Sequence, residues 1–332
     1  MGGNLENTLS LVELRNQVRE FATPSNSRAF FEVCVTLALF FSLLTLAGYT
    51  LNHSLLLAMF LGGIAGLILV RIFILQHDCG HRSLFSTPWL NHWVGRLLAL
   101  HTLTPFHEWN DSHHTHHRHT GQLSVRRHEG AIWLLTTNEY EELSKWKRFC
   151  YRLYHFPLVL FCIGPTLLFV VYYRLWWMEK NPARRRSMLL TNMVLLPVVG
   201  FSLWLFGWKV IFLVIFPSIV TASAVGVWFF YVQHIFENAY FAERGEYVRR
   251  DAIMRGGSIY RLPRFLEWLT GGIGYHAVHH LNPSIPSYRL RACWKKVDKY
   301  FSETPKFTLR ESLQIIGLSL YDTKNKKMVR FS

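Results

Sequence analysis

Three short histidine clusters, each close to the end of an apolar run, set the problem this chain has to solve. His77-Asp78-Cys79-Gly80-His81 places two imidazoles at i and i+4. His113, His116 and His117 stand at i, i+3 and i+4, and His276, His279 and His280 repeat that triplet. On helices each set projects from one face, because residues three and four apart are neighbours on a helix surface. One cluster would suit coincidence or a zinc site; three point to side chains that are meant to meet. The densest stretch, Phe106 to Leu123, holds six histidines in 18 residues.

The runs between the clusters are membrane-like. Half of the 332 residues are hydrophobic and 17% are charged, against roughly 25% charged in an ordinary soluble domain. Phe30–Thr50 is apolar and long enough to span a bilayer, and Ser54–Leu75 follows after the turn Leu51-Asn52-His53. The net charge is +15, but the basic residues flank apolar runs instead of gathering in one patch. A positive-inside membrane protein accounts for that better than a nucleic-acid binder. The five cysteines (34, 79, 150, 162 and 293) form no C-x-x-C pair, which excludes a zinc ribbon and fits reduced thiols on a cytoplasmic face. Residues 1–28 are polar, with Arg15, Arg19 and Arg28 and no cleavable signal, and are expected to form an interfacial helix.

Residues 88–106 mix apolar positions with Pro88, Asn91, His92, Arg96, His101 and Pro105, the composition of an interfacial segment. Such a segment keeps the first two clusters on one face; His92 and His101 lie outside the cluster spacing and are taken as non-ligands. Three apolar stretches, roughly 156–173, 188–206 and 210–232, precede the third cluster. If all three crossed, His276–His280 would lie across the membrane from the others, so one must not cross. Pro157 and Pro165 break the first, and Arg152 and Arg174 flank it, as a re-entrant or interfacial segment requires. Arg184-Arg185-Arg186 then anchors a third span, and a short turn near Trp208-Lys209 leads into the fourth.

The expectation is an all-α integral membrane protein, one domain over 1–332, with four transmembrane helices. In order come an interfacial segment (1–29), two spans (30–75), a cytoplasmic region with two clusters (76–155) and a re-entrant or interfacial stretch (156–173). Two more spans (188–232) and a cytoplasmic region with the third cluster and a basic tail (233–332) complete it. A cytoplasmic helical cap would hold a histidine-coordinated dimetal site.

Eight imidazoles are too many for one ion. A structural zinc takes four ligands and a catalytic zinc three plus water, so the number suits two metals with open positions. Imidazole accepts zinc, copper, iron or nickel and does not choose among them. His234 stands where the fourth span ends, in Y-V-Q-H-I-F-E-N, and is placed to be a ninth ligand. Glu237 one turn on, Asp78 and Glu108 are candidates to orient an imidazole. No Glu-x-x-His occurs, unlike the carboxylate-rich di-iron bundles. A membrane setting suggests a lipid substrate, whose unactivated C–H bonds need an oxidant that only a cofactor supplies. A histidine-rich metal transporter would carry ionisable ligands along a path inside its spans; here the clusters sit at span ends, and the span middles carry no His, Asp or Glu.

The order His-x-x-x-His, His-x-x-His-His, His-x-x-His-His resembles the membrane fatty acid desaturases, most closely the acyl-lipid type of bacteria and plastids. H-D-C-G-H-R-S-L-F, the run from His113 to Leu123, F-Y-V-Q-H-I-F-E and H-H-L-N-P-S-I-P-S-Y-R-L carry the likeness, which runs from about residue 30 to the C-terminus. The resemblance implies that His77, His81, His113, His116, His117, His276, His279 and His280 bind two irons, with His234 as a further ligand and His114 and His119 as non-ligands. It implies an oxidoreductase that uses O2 and electrons from ferredoxin or a cytochrome b5-type donor to place a cis double bond in a fatty acyl lipid. The chain has no His-Pro-Gly-Gly haem motif, so the donor would be a separate protein. It could dock near Lys295, Lys296, Lys299, Lys306, Lys324, Lys326 and Lys327, which would equally suit lipid headgroups. The acyl carrier (glycerolipid, acyl-CoA or acyl-ACP) stays open, as do a fatty acid hydroxylase or a carotenoid ketolase or hydroxylase on the same scaffold. The implied location is the bacterial inner membrane, with the active site on the cytoplasmic side.

Overall fold

Small polar caps delimit long apolar helices along this chain. The Ser25 hydroxyl accepts a hydrogen bond from the Arg28 amide and starts α2 (Asn26–Thr50); α1 (Leu11–Val18) precedes it with the reciprocal Ser10–Glu13 capping box. Ser54 accepts from Leu57 and opens α3 (Leu55–Gly80). Pro88 at the first turn begins α4 (Pro88–His101), and α5 (Phe106–His119) follows Pro105. Asn181 caps α6 (Pro182–Val210), and α7 (Phe216–His234) continues from it. Farther on come α8 (His276–Leu281) and α9 (Ser287–Val297). The computed structural model describes residues 9–125 and 132–331, so the first eight residues of the expected N-terminal segment lie outside it.

Two compact units interleave along the sequence, one formed by residues 25–113 and 152–229, the other by the chain up to Pro24 with residues 114–151 and 230–332. Both α5 and α7 are continuous across a unit boundary.

The first unit is built from the long helices. Three helical segments are long and apolar enough to cross a membrane: Asn26–Thr50, Leu55–Gly80 and Pro182–His234. The last runs for 53 residues, roughly 80 Å at helical rise, far more than the ~30 Å a hydrocarbon core needs. It breaks at Gly207 (φ 76°, ψ 166°), a backbone that glycine adopts without a Cβ clash, beside the turn expected at Trp208-Lys209. The large side chains Phe31, Phe41, Leu56, Phe60, Phe201 and Trp204 point outward, an apolar surface suited to lipid. Small residues bring α3 against the 214–221 stretch: a Cβ on Gly62 would strike the Val214 carbonyl, and one on Gly66 would lie 2.5 Å from the Ser218 carbonyl. Helices Lys145–Tyr154 and Val159–Arg174 are bent by 65° at their break, and Pro157 sits in that break.

Glu32, nearly two turns inside α2, departs from a wholly apolar span. Its carboxylate pairs with Arg71 of α3, both groups buried, and the Arg71 Nε donates to the Thr36 hydroxyl at 3.1 Å. Arg28 reaches the same carboxylate from the surface at 2.6 Å.

The second unit amends the all-α expectation. The described residues are 69% helical, yet two small sheets form here. β1 (Leu135–Thr136) runs parallel to β4 (Leu320–Asp322), which pairs antiparallel with β5 (Lys327–Val329), while β2 (Ile259–Arg261) runs parallel to β3 (Lys306–Thr308). Buried Tyr151 ties the first sheet together: its hydroxyl donates to the Ser319 carbonyl at 2.6 Å and accepts from the Leu135 amide at 3.0 Å. Leu14 and Val18 of α1 are buried, and Arg15 donates to the Leu281 carbonyl at the end of α8.

Glu32→Ala should destabilise the detergent-solubilised protein by roughly 3–5 kcal/mol, because Arg71 then stays buried without its carboxylate. Replacing both residues by leucine should recover most of that loss in thermal unfolding. A double variant as unstable as the single one would show that the stranded charge is not the cause.

Candidate metal centre

In the second unit four buried imidazoles converge. His116 comes from α5, His234 from the last turn of α7, and His276 and His280 from one face of α8. The Nε2 atoms of His116 and His234 lie 3.1 Å apart, those of His234 and His276 2.9 Å, and those of His276 and His280 2.9 Å. These contacts cannot all be hydrogen bonds. The Nδ1 of His234 is 3.2 Å from the Gly256 carbonyl, which only accepts, so Nδ1 carries the proton and Nε2 presents a lone pair. A metal with nitrogen ligands at about 2.0–2.1 Å sets neighbouring nitrogens roughly 3 Å apart, so the four residues fit one ion. Burial, then the surrounding His276, His234 and His116, holds the His280 imidazole well below its usual titration range and so neutral.

The local fold explains the convergence. Gly274 lets the chain before α8 approach β2, where a Cβ would lie 2.5 Å from the Tyr260 carbonyl. The Ala277 amide donates to the Ser258 carbonyl, and Ser258 in turn donates to the Val232 carbonyl at the end of α7. Gln233 donates to Ile273 at 3.0 Å. His234 and His276 are thus set by backbone held on both sides. A half-open cavity of about 60 Å3 borders His116 and His234, walled by Phe230, Ile235, Tyr240 and Leu134; that is room for a small molecule, not for a chain.

His117 and His279 of the same unit bring their Nε2 atoms to 3.0 Å, and the His117 ring stacks on His280 at 4.3 Å. In the first unit, His77 and His81 at the end of α3 meet His113 of α5. The Nε2 atoms of His81 and His113 are 3.0 Å apart, and the His77 ring lies 4.6 and 4.7 Å from the two others. His113 and His117 are one turn apart on continuous α5. Asp78 reaches the His77 Nδ1 at 3.3 Å, the carboxylate–histidine arrangement that orients metal ligands elsewhere.

The other candidates sit apart from imidazoles. Glu237 is exposed, 3.8 Å from Lys327. Glu108 is buried beside Tyr173, which donates a hydrogen bond to it, and Arg184, Glu179 and Asp111 surround it. Burial pushes its carboxyl up to about 7, against the pull of Arg184. His119 bonds to Gln122 and His101 to the Leu97 carbonyl. Two residues escaped the reading by histidines alone. The Trp109 ring stacks on His113 at 4.8 Å, and Phe230 packs 5.0 Å from both His116 and His234. Each stands four residues before a histidine on the same helix, a spacing the sequence does show.

A family model described as fatty acid desaturase matches residues 50–309. The chain belongs to the fatty acid desaturase family. It is 38% identical over 322 residues to a protein of Bacillus subtilis (strain 168) named fatty acid desaturase, covering 96% of this chain and 90% of that one. It is 28% identical to an sn-1 acyl-lipid omega-3 desaturase (ferredoxin) of Synechocystis sp. over 72% of this chain and 67% of that one. An sn-1 oleoyl-lipid 12-desaturase of Arthrospira platensis matches at 26%, over 68% and 64%. The desaturase family's activity is that of an oxidoreductase, and its membership here rests on most of the chain.

Asp78→Asn should weaken metal retention by roughly 10–100-fold, read by competition with a chelator; unchanged retention would show that Asp78 does not set the His77 ring. For Glu108, a carboxyl raised from the ordinary 4.5 to about 7 costs the folded state nothing below pH 4.5, and the cost grows as pH rises through 7. Glu108→Gln should therefore match wild type near pH 4 and gain up to ~3 kcal/mol by pH 8. Equal melting shifts at both pH values would contradict the burial argument.

Proposed function

We propose that this protein is an O2-dependent, di-iron acyl-lipid desaturase that puts a cis double bond into a fatty acyl chain. The observation that carries the reading is the set of four buried imidazoles whose lone pairs converge at about 3 Å within a desaturase-family chain. His77, His81, His113, His116, His117, His276, His279 and His280, with His234 as a further ligand, are the residues that would hold the two irons. Iron there supplies the oxidising power: one O2, two electrons and two protons, with two hydrogens taken from adjacent acyl carbons, give the alkene and two waters.

The chain's own groups prepare that chemistry. Neutral histidines add no negative charge that burial would penalise. The Gly256 carbonyl takes the His234 Nδ1 proton, and Asp78 faces Nδ1 of His77, so each ring presents Nε2. Trp109 and Phe230 pack on the rings and limit how they can turn. The cavity beside His116 and His234 has room for O2.

We further assign four spans, with the break at Gly207 as the turn between the third and fourth, residues 156–173 as the stretch that does not cross, and all histidine clusters on the cytoplasmic side of a bacterial inner membrane, within a single domain. Support comes from Arg174 and Arg184-Arg185-Arg186 at one end of the helices. Electrons come from a separate ferredoxin or cytochrome b5-type protein; one relative is named with ferredoxin. Lys296 and Lys326 are already paired with Glu20 and Glu246, which leaves Lys295, Lys299 and Lys324 as the better docking candidates.

The decisive experiment is gas chromatography–mass spectrometry of fatty acids from a host expressing the protein or its His116→Ala variant. New cis-unsaturated chains with wild type, none with the variant, and iron falling from about two per chain are expected. Hydroxy acids would move the reading to a hydroxylase; an active His116→Ala would refute the shared centre.

A further inference from the structure

A second cavity of about 500 Å3 opens in the first unit, between the end of α3, α4 and the start of α5. Its floor is the Cys79-Gly80 segment, inside the first histidine cluster, and its walls carry Arg82, His92, Arg96 and His107. No Asp or Glu lines it. Among the described residues neither guanidinium has an acidic partner; Arg96 lies over the Trp93 ring at 5.4 Å.

Three features show that this is a formed basic pocket. Two glycines let its floor close: a Cβ on Gly80 would lie 2.5 Å from the Asn110 side-chain oxygen, and one on Gly95 would strike the Phe106 ring and Cys79. Arg82 holds a left-handed backbone (φ 56°), a conformation that favours glycine. His92 is held below its usual range by burial first, and the nearby Arg96, Arg82 and His107 add to it.

The mouth lies where a bilayer surface would be. Trp89, Trp93 and Leu97 follow one another at every fourth position of α4 and are 62%, 59% and 50% exposed. That stripe is the interface-seeking face of an amphipathic helix, and Trp89 also lines the cavity.

We propose that this pocket binds the phosphate of a glycerophospholipid headgroup, with Arg82 and Arg96 as its principal contacts. Arginine's planar fork suits phosphate oxygens, and the volume is that of a small-ligand site. A lipid held there begins its acyl chains beside the end of α3, where His77 and His81 stand. The substrate class is then a phospholipid, in preference to a neutral glycolipid. Free phosphate and the phosphates of an acyl-CoA share the chemistry, but the Trp89–Trp93–Leu97 stripe favours a ligand delivered from the bilayer. The assignment of the lipid as substrate rests on the desaturase reading; the binding site does not.

Native mass spectrometry of the full-length protein, from nanodiscs containing equal dipalmitoyl-phosphatidylglycerol and monogalactosyl-dipalmitoylglycerol, tests it. Wild type should retain the phospholipid preferentially, and Arg82→Gln with Arg96→Gln should lower that preference by roughly tenfold or more while keeping wild-type iron content and melting temperature. If the double variant does not accumulate, Arg96→Gln alone and Arg96→Lys are compared, and only the charge-removing change should abolish the preference. Equal retention of both lipids by wild type, or by variant and wild type alike, overturns the site. Displacement of the lipid by millimolar inorganic phosphate or by micromolar coenzyme A reassigns the pocket and overturns the headgroup proposal. Fatty acid analysis of the same samples separates the two readings: retained phospholipid without any double-bond formation would refute the desaturase function and leave the site standing.

Discussion

Four buried nitrogen lone pairs that point at one another repel unless a cation lies among them. The geometry around His116, His234, His276 and His280 has that character, and the surrounding protein is arranged to tolerate it. The imidazoles are neutral, so their burial costs far less than a set of carboxylates would. Backbone carbonyls and aromatic rings supply the orientation that charge would otherwise provide. A histidine shell is therefore a solution suited to a centre sunk at the end of apolar helices. An ion bound there would add its binding energy to the folded state, since these ligands meet only in the native chain.

The long helices are held by the opposite strategy. Where α3 meets the 214–221 stretch there is little but backbone, because Gly62 and Gly66 leave no side chain between them. In a lipid setting such contacts rest on close packing and not on the hydrophobic effect. The ion pair between α2 and α3, Glu32 with Arg71, is buried on both sides, and a pair of that kind ties two helices at one register while its desolvation cost offsets much of its attraction. Glu108 is a contrast: its environment is supplied by Tyr173, Glu179 and Arg184, from a distant stretch of chain.

Helical spacing made the eight clustered histidines legible, and the end of an apolar run made His234 legible, because both depend on local geometry that short sequence patterns record. Other features were hidden for physical reasons. Glu32 is one charge among apolar neighbours, and its partner lies 39 residues on, so no window contains both. Strands of two or three residues, such as β1 and β4, have too little alternation to register. Trp109 and Phe230 were visible in principle, each four residues before a histidine, but an aromatic at helical spacing usually signals only a core. The carbonyl of Gly256 leaves no trace in side-chain chemistry at all.

The C-terminal segment adds a constraint in time. Tyr231, three residues before His234, places its hydroxyl 2.9 Å from the carbonyls of both Ile315 and Leu318. β4 and β5, which follow at once, complete the sheet that begins with β1. The helix end that presents His234 is therefore held by residues 84 and 87 positions beyond Tyr231, and it is fixed only once that later segment has folded back on it.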